Sequence, residues 1–136
     1  MDIWRLEDSI SVQLGLPGTI EELLGVLPHN LDRIAFDLKS GKVVDLGCLD
    51  GIINGVIEYG TPIEGHDLSF VYRSFVIQMK TGFEFGQSTL DLVGRARELI
   101  KEDPRRWNGI EAALKRKYPR LTKKVRRALL EDVPLK

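Results

Sequence analysis

Asp67-Leu68-Ser69-Phe70-Val71-Tyr72-Arg73-Ser74-Phe75-Val76-Ile77-Gln78-Met79-Lys80 decides the architecture of this chain, because the stretch supports two incompatible readings. Leu68, Val71, Tyr72, Phe75, Val76 and Met79 recur at helical spacing, whereas residues 70–77 are aromatic and β-branched, as strands prefer. The periodicity favours a helix, with Asp67 as its N-cap and Gly82 closing its C-terminus. The other reading pairs 67–71 with 75–80 in a tight hairpin turning through Tyr72-Arg73-Ser74. Both stay open at the level of sequence.

Toward the C-terminus the pattern is helical. Ser88 and Asp91 have the spacing to cap a helix over 89–102, along which Leu90, Val93, Arg97 and Ile100 form one line with Leu92, Ala96 and Leu99 beside it. Asp103-Pro104 ends it. Trp107, Ile110, Ala113, Leu114 and Tyr118 define a second helix, with Asn108 as its candidate cap, and Pro119 ends that one. Leu121, Val125, Ala128 and Leu129 define a third, opened by Thr122.

Toward the N-terminus the punctuation suits strands. Residues 3–6 and 10–14 are apolar enough to pair as a hairpin. Pro17-Gly18 breaks the chain, and Thr19 with Glu22 has capping-box spacing ahead of a short helix over 19–27 that Pro28 stops. Residues 33–38 and 42–46 flank Lys39-Ser40-Gly41, where Gly41 can supply the positive φ of a tight turn with a bulge. Ile34, Phe36 and Leu38 then share a face with Val44 and Leu46 opposite, and that face is expected to be core. Residues 47–65 hold five glycines and an apolar run over 52–59, read as a strand between loops. The expected class is α+β: an antiparallel sheet of four or five strands from residues 1–60 and a helical C-terminal half of about three helices.

A chain of 136 residues, 43% hydrophobic and 29% charged, suits one domain with one core: 1–87 mixed and acidic, 88–136 helical and basic from 105. No apolar run approaches the roughly 20 residues of a membrane span, and the acidic start lacks the series of regions that make a secretory signal. A cytoplasmic location is the expectation. The single cysteine, Cys48, has no partner for an internal disulfide, and its apolar neighbours suggest a buried thiol.

Charge is the strongest functional signal. Twenty basic and twenty acidic residues cancel, yet residues 1–103 carry a formal −8 and residues 104–136 a formal +8. Between Arg105 and Arg127 stand ten cations and one anion, Glu111. Such a field seeks phosphate, so nucleic acid is the leading partner. The residues expected to touch it are Arg105, Arg106, Lys115, Arg116, Lys117, Arg120, Lys123, Lys124 and Arg127. Two helices meeting at a short turn suit presentation to a duplex, but the turn holds Pro119 and no glycine, and Asn108 is the only amide in the tail. That composition argues for backbone contact over base reading. The alternative is that the basic half rests on the acidic half of the same chain, of a second copy in a homo-oligomer, or on an acidic protein partner.

A second constellation is Gly65-His66-Asp67-Leu68 followed by Gln78-Met79-Lys80. In the strand reading Asp67 and Gln78 meet at adjacent strand ends, where they can hold a divalent ion while Lys80 polarises water for phosphodiester attack. This resembles the active-site pattern of the PD-(D/E)xK nucleases, in particular the QxK variant of restriction endonucleases of the Mrr type. The resemblance covers 18 residues and implies a magnesium-dependent nuclease with Asp67, Gln78 and Lys80 as its catalytic set. An upstream glutamate would complete such a site, with Glu22 and Glu58 as the choices. Without that site, the reading is a binding protein with neither metal nor cofactor.

The remaining chemistry is sparse. His29 and His66 stand beside turn formers and read as exposed loop residues. Asp45, Asp50, Glu58 and Glu64 are too irregularly spaced for a calcium loop. No Walker loop, dinucleotide fingerprint or nucleophile elbow occurs, which disfavours nucleotide hydrolysis and serine-hydrolase chemistry.

Overall fold

A computed structural model describes residues 5–60 and 65–131. The stretch 67–80 is a helix, α4 (Asp67–Thr81), because helical spacing brings Val71, Ser74, Phe75 and Val76 onto one buried face. Its β-branched content yields to that burial. Gly82 closes it at φ +73°, donating its N–H to the Gln78 carbonyl, as the sequence leads one to expect. Asp67 lies in the first turn, and the N-cap position belongs to His66.

Three further helices join α4: α5 (Gln87–Glu102), α6 (Arg106–Lys117) and α7 (Thr122–Leu130), the last entered through a 3₁₀ turn over Pro119–Leu121. Phe75, Leu92, Leu114 and Val125 are fully or almost fully buried where the four meet, with Trp107 closing one side. Arg97 donates to the Ala128 carbonyl at 2.6 Å, tying α5 to the end of α7. The expected cap at Ser88 is not made, because its hydroxyl donates to Glu58 and accepts from the Tyr59 N–H. Asn108 lies inside α6 and does not cap it. Asp103 instead takes the Arg105 N–H at the preceding turn.

The N-terminal half is α+β, as expected, but its sheet is far smaller than four or five strands. Residues 6–14 form a 3₁₀ turn (Leu6–Asp8) and a one-turn helix, α1 (Ile10–Gln13), where a hairpin was expected. Residues 3 and 4 of that hairpin lie outside the described residues. Helix α2 (Ile20–Val26) is capped as its sequence dictates, with Thr19 Oγ1 accepting from the Glu22 N–H at 3.2 Å. Strands β1 (Ile34–Phe36) and β2 (Val43–Asp45) form the antiparallel hairpin, with Gly41 at φ +72° in its turn.

Its face is the reverse of the expected one. Ile34, Phe36 and Leu38 point to solvent, Leu38 at 90% exposure, while Ala35 and Val44 turn inward.

Residues 47–59 hold a helix that the glycines concealed, α3 (Cys48–Asn54), followed by a two-residue strand β3 (Val56–Ile57). Asp45 organises the helix, since its carboxylate accepts the N–H groups of Gly47, Cys48 and Leu49 at 3.0, 2.7 and 3.3 Å. Strand β3 pairs in parallel with β4 (Glu84–Phe85), linking the halves, so the sheet is not wholly antiparallel. Asn30 extends this seam by donating to the Val56 carbonyl and accepting the Glu58 N–H.

Candidate nucleic-acid interface

Helix α7 shows how the sequence builds a charged face. Val125, Ala128 and Leu129 with Leu121 are buried at a spacing of three and four residues, which leaves Lys123, Lys124, Arg126 and Arg127 in water. On α6, Trp107, Ile110 and Leu114 are buried and Lys115, Arg116 and Lys117 are exposed. Arg105, Arg106 and Arg120 are exposed at the turns. All nine cations named from sequence therefore reach solvent. Arg126 belongs with them; its signal was the position one residue beyond buried Val125, in the arc that the core does not use.

The charge is only locally balanced. Arg105 pairs with Asp103 at 2.9 Å, Arg106 with Glu102 at 3.5 Å, Lys115 with Glu111 at 3.0 Å and Arg127 with Glu131 at 3.7 Å. Each acid is within four residues of its cation, and such exposed pairs add little stability. The Arg105 guanidinium holds the Asp103 carboxyl below its ordinary range. Lys124 donates to Gln78 at 2.5 Å. Among the described residues, Lys117, Arg120, Lys123 and Arg126 have neither an ion pair nor a hydrogen bond from the side chain, and no acid of the N-terminal half pairs with residues 105–127. Within the acidic stretch 1–103, Glu102 and Asp103 at the junction are the acids that pair with this region among the described residues.

The proposed nuclease residues do not converge. Asp67 and Gln78 lie eleven residues apart on one helix, about 16 Å along its axis. Asp67 accepts from Arg95 at 3.3 Å and from the Tyr59 hydroxyl at 3.4 Å. Gln78 donates to the Phe83 carbonyl, and Lys80 lies 5.9 Å from the Tyr118 ring centroid. The resemblance required adjacent strands, and the helix removes them. Glu22 lies in the first turn of α2, and Glu58 is held by Ser88. Asp45 is committed to capping α3, Glu64 lies outside the described residues, and no group of three metal-ligating side chains occurs among the described residues.

His29 corrects the expectation of an exposed loop residue. It is fully buried, its Nε2 lies 2.7 Å from Ser74 Oγ, and its Nδ1 lies 3.8 Å from Asp32. The Ser74 hydroxyl donates to the Phe70 carbonyl at 2.8 Å, so His29 Nε2 donates to Ser74 and Nδ1 carries the lone pair. Burial, aided by the Arg73 and Arg33 charges against the opposing pull of Asp32, lowers its pKa to about 4. The order serine, histidine, aspartate is that of a hydrolase triad. Here Ser74 is fully buried with its proton already given to a helix carbonyl, so no substrate reaches it. His66 is exposed, as expected.

Cys48 is buried, and desolvation followed by the charges of Asp45 and Asp32 raises its pKa, which keeps the thiol protonated. No helix among the described residues is long and apolar enough to cross a membrane. The class that fold and surface define is an α+β protein with an exposed basic helical face. No protein-family model, curated protein or solved structure matches the chain.

Proposed function

We propose that this chain is a nucleic-acid-binding or nucleic-acid-associated accessory protein that contacts phosphates through Arg105, Arg106, Lys115, Arg116, Lys117, Arg120, Lys123, Lys124, Arg126 and Arg127. The observation that supports it is the set of cations on α6, α7 and their turn that face water, paired among the described residues only with acids two to four positions away in the chain. Phosphate contact gains affinity from released counterions, which makes salt dependence its signature. Asn108 is the one amide within residues 105–127, and Gln78 beside Lys124 is held by that lysine and the Phe83 carbonyl, so the contact is to backbone rather than base edges.

The test is fluorescence anisotropy with labelled DNA and RNA over a salt series. Affinity is expected to fall steeply with salt, and charge reversal at Lys123, Lys124 and Arg127 is expected to abolish binding without changing subunit mass. No binding at low salt removes the reading.

A second reading has its own support: Phe36, Val43, Leu49, Ile52 and Ile53 all expose apolar side chains in the N-terminal half. Exposed apolar side chains that cluster into one patch are a basis for contact with a second copy. Light scattering distinguishes the two, because Phe36→Ser with Ile53→Ser lowers the mass of a self-assembled protein and leaves a monomer unchanged.

A further inference from the structure

Two half-buried tyrosines stand in a row between α4 and α6. Tyr72 and Tyr118 have ring centroids 6.3 Å apart with their planes at 54°. Lys80 from the end of α4 lies 5.9 Å from the centroid of Tyr118, and the charge of Arg116 is felt at the Tyr72 hydroxyl. Next to Tyr72 a groove of about 290 Å³ opens between the helices, floored by Leu68, Ile110 and Ala113 and rimmed by Arg106. Gly109 lines it, and a Cβ at that position meets nothing within 4 Å, so a larger side chain there has free space to occupy. The volume is at the small end for ligand sites, roughly 300 Å³ and upward.

We propose that this groove and the tyrosine pair at its edge, of which Tyr72 lines it, seat the bases of single-stranded nucleic acid, an inference that rests on the phosphate-binding reading above. Cations alone serve duplex and single strand alike. Aromatic faces interleaved with cations serve unpaired bases, because a stacked duplex offers no free base face to a tyrosine. Here Arg106 borders the groove and Lys80 stands beside the Tyr118 ring, so cations are available to phosphates while a base enters beside Tyr72. Every base has a π face, so the site accepts DNA or RNA with little regard to sequence. That matches a surface poor in free amides.

The experiment compares a short thymidine strand, the same strand with abasic sugars, its uridine counterpart and a duplex of equal length, all by anisotropy at one salt concentration. The base-bearing strands are expected to bind about tenfold more tightly than the abasic strand and the duplex. Tyr72→Leu with Tyr118→Leu removes that advantage. Because those rings also touch the core, Gly109→Leu serves as the second variant: it fills the groove at an exposed helical position where glycine is unfavourable, so the fold is retained. It is expected to lower single-strand affinity several-fold and leave duplex affinity unchanged. Equal binding of abasic, base-bearing and duplex probes, or an unaltered Gly109→Leu, overturns the base site while the phosphate reading stands. No binding by any probe at low salt overturns both.

Discussion

The two halves of the molecule use apolar residues in opposite ways. From Tyr59 onward they are packed into one cluster that runs through Val71, Phe75, Leu92, Leu114 and Val125 to Leu129. Before Tyr59, among the described residues, Leu24, Cys48 and Ile57 are the buried hydrophobics, while eleven large apolar side chains between Ile10 and Ile53 are exposed. Stability therefore resides in the helical half, and the N-terminal half is attached to it. The attachment is largely polar: His29 to Ser74, Asp32 to Arg73 at 2.7 and 3.0 Å, and Thr89 Oγ1 donating to the Ile57 carbonyl at 2.6 Å. Polar seams tie surfaces in a fixed geometry but contribute less than burial of the same area.

The contrast is broken or sharpened by substitution. Phe75→Ala empties the centre of the helical cluster and is expected to cost about 3–5 kcal/mol in chemical denaturation. Phe36→Ser at 59% exposure is expected to fall within about 0.5 kcal/mol of zero. Equal losses at the two sites would show that the hairpin face is covered in solution.

The seam makes a pH-dependent contribution of intermediate size. His29 is neutral in the fold with a pKa of about 4, against an ordinary value of 6.5, so the unfolded chain binds more protons in that window. Stability contributed by the buried neutral ring is complete above the upper value and is lost as pH falls toward the lower, by about 3 kcal/mol. The difference between wild type and His29→Gln in denaturation midpoint, followed from pH 7 to 4, isolates this contribution from the carboxylates. A constant difference across the window would mean that His29 is not buried neutral.

Gly51→Ala probes the same seam with a smaller effect. A Cβ at Gly51 would stand 2.3 Å from Asn30 Nδ2 and 3.0 Å from a Leu31 methyl. Asn30 is pinned by two backbone hydrogen bonds, so accommodation is expected to cost about 1–3 kcal/mol and to expose β3 to hydrogen exchange ahead of the helices. At Thr19, alanine removes the α2 cap, which is expected to cost about 1 kcal/mol and to fray that helix alone.

Local signals were legible wherever one residue or one period sets the outcome. The Thr19 cap, the Gly41 turn, the Gly82 stop and the helical spacing of 88–130 needed no knowledge of the rest of the chain. Helix α3 was hidden because glycines and β-branched residues dominate its window, and Asp45 supplies its start from a strand end. The nuclease pattern failed for a related reason: its residue types were present, but their meeting required strands that the 3.6-residue period excludes. Among the site residues, Arg126 was available from spacing alone. The pairing of Tyr72 with Tyr118 was not, since 46 positions separate them.

What the sequence by itself determined is the charge division, the helical cluster with its cations facing outward, and the α+β class, because periodicity and composition are local properties of the chain. What only the tertiary structure decided is which apolar faces go uncovered, that His29 is buried, and that two distant tyrosines meet beside a groove. Burial depends on the volume left once the other elements have packed, and that volume is a property of the whole molecule.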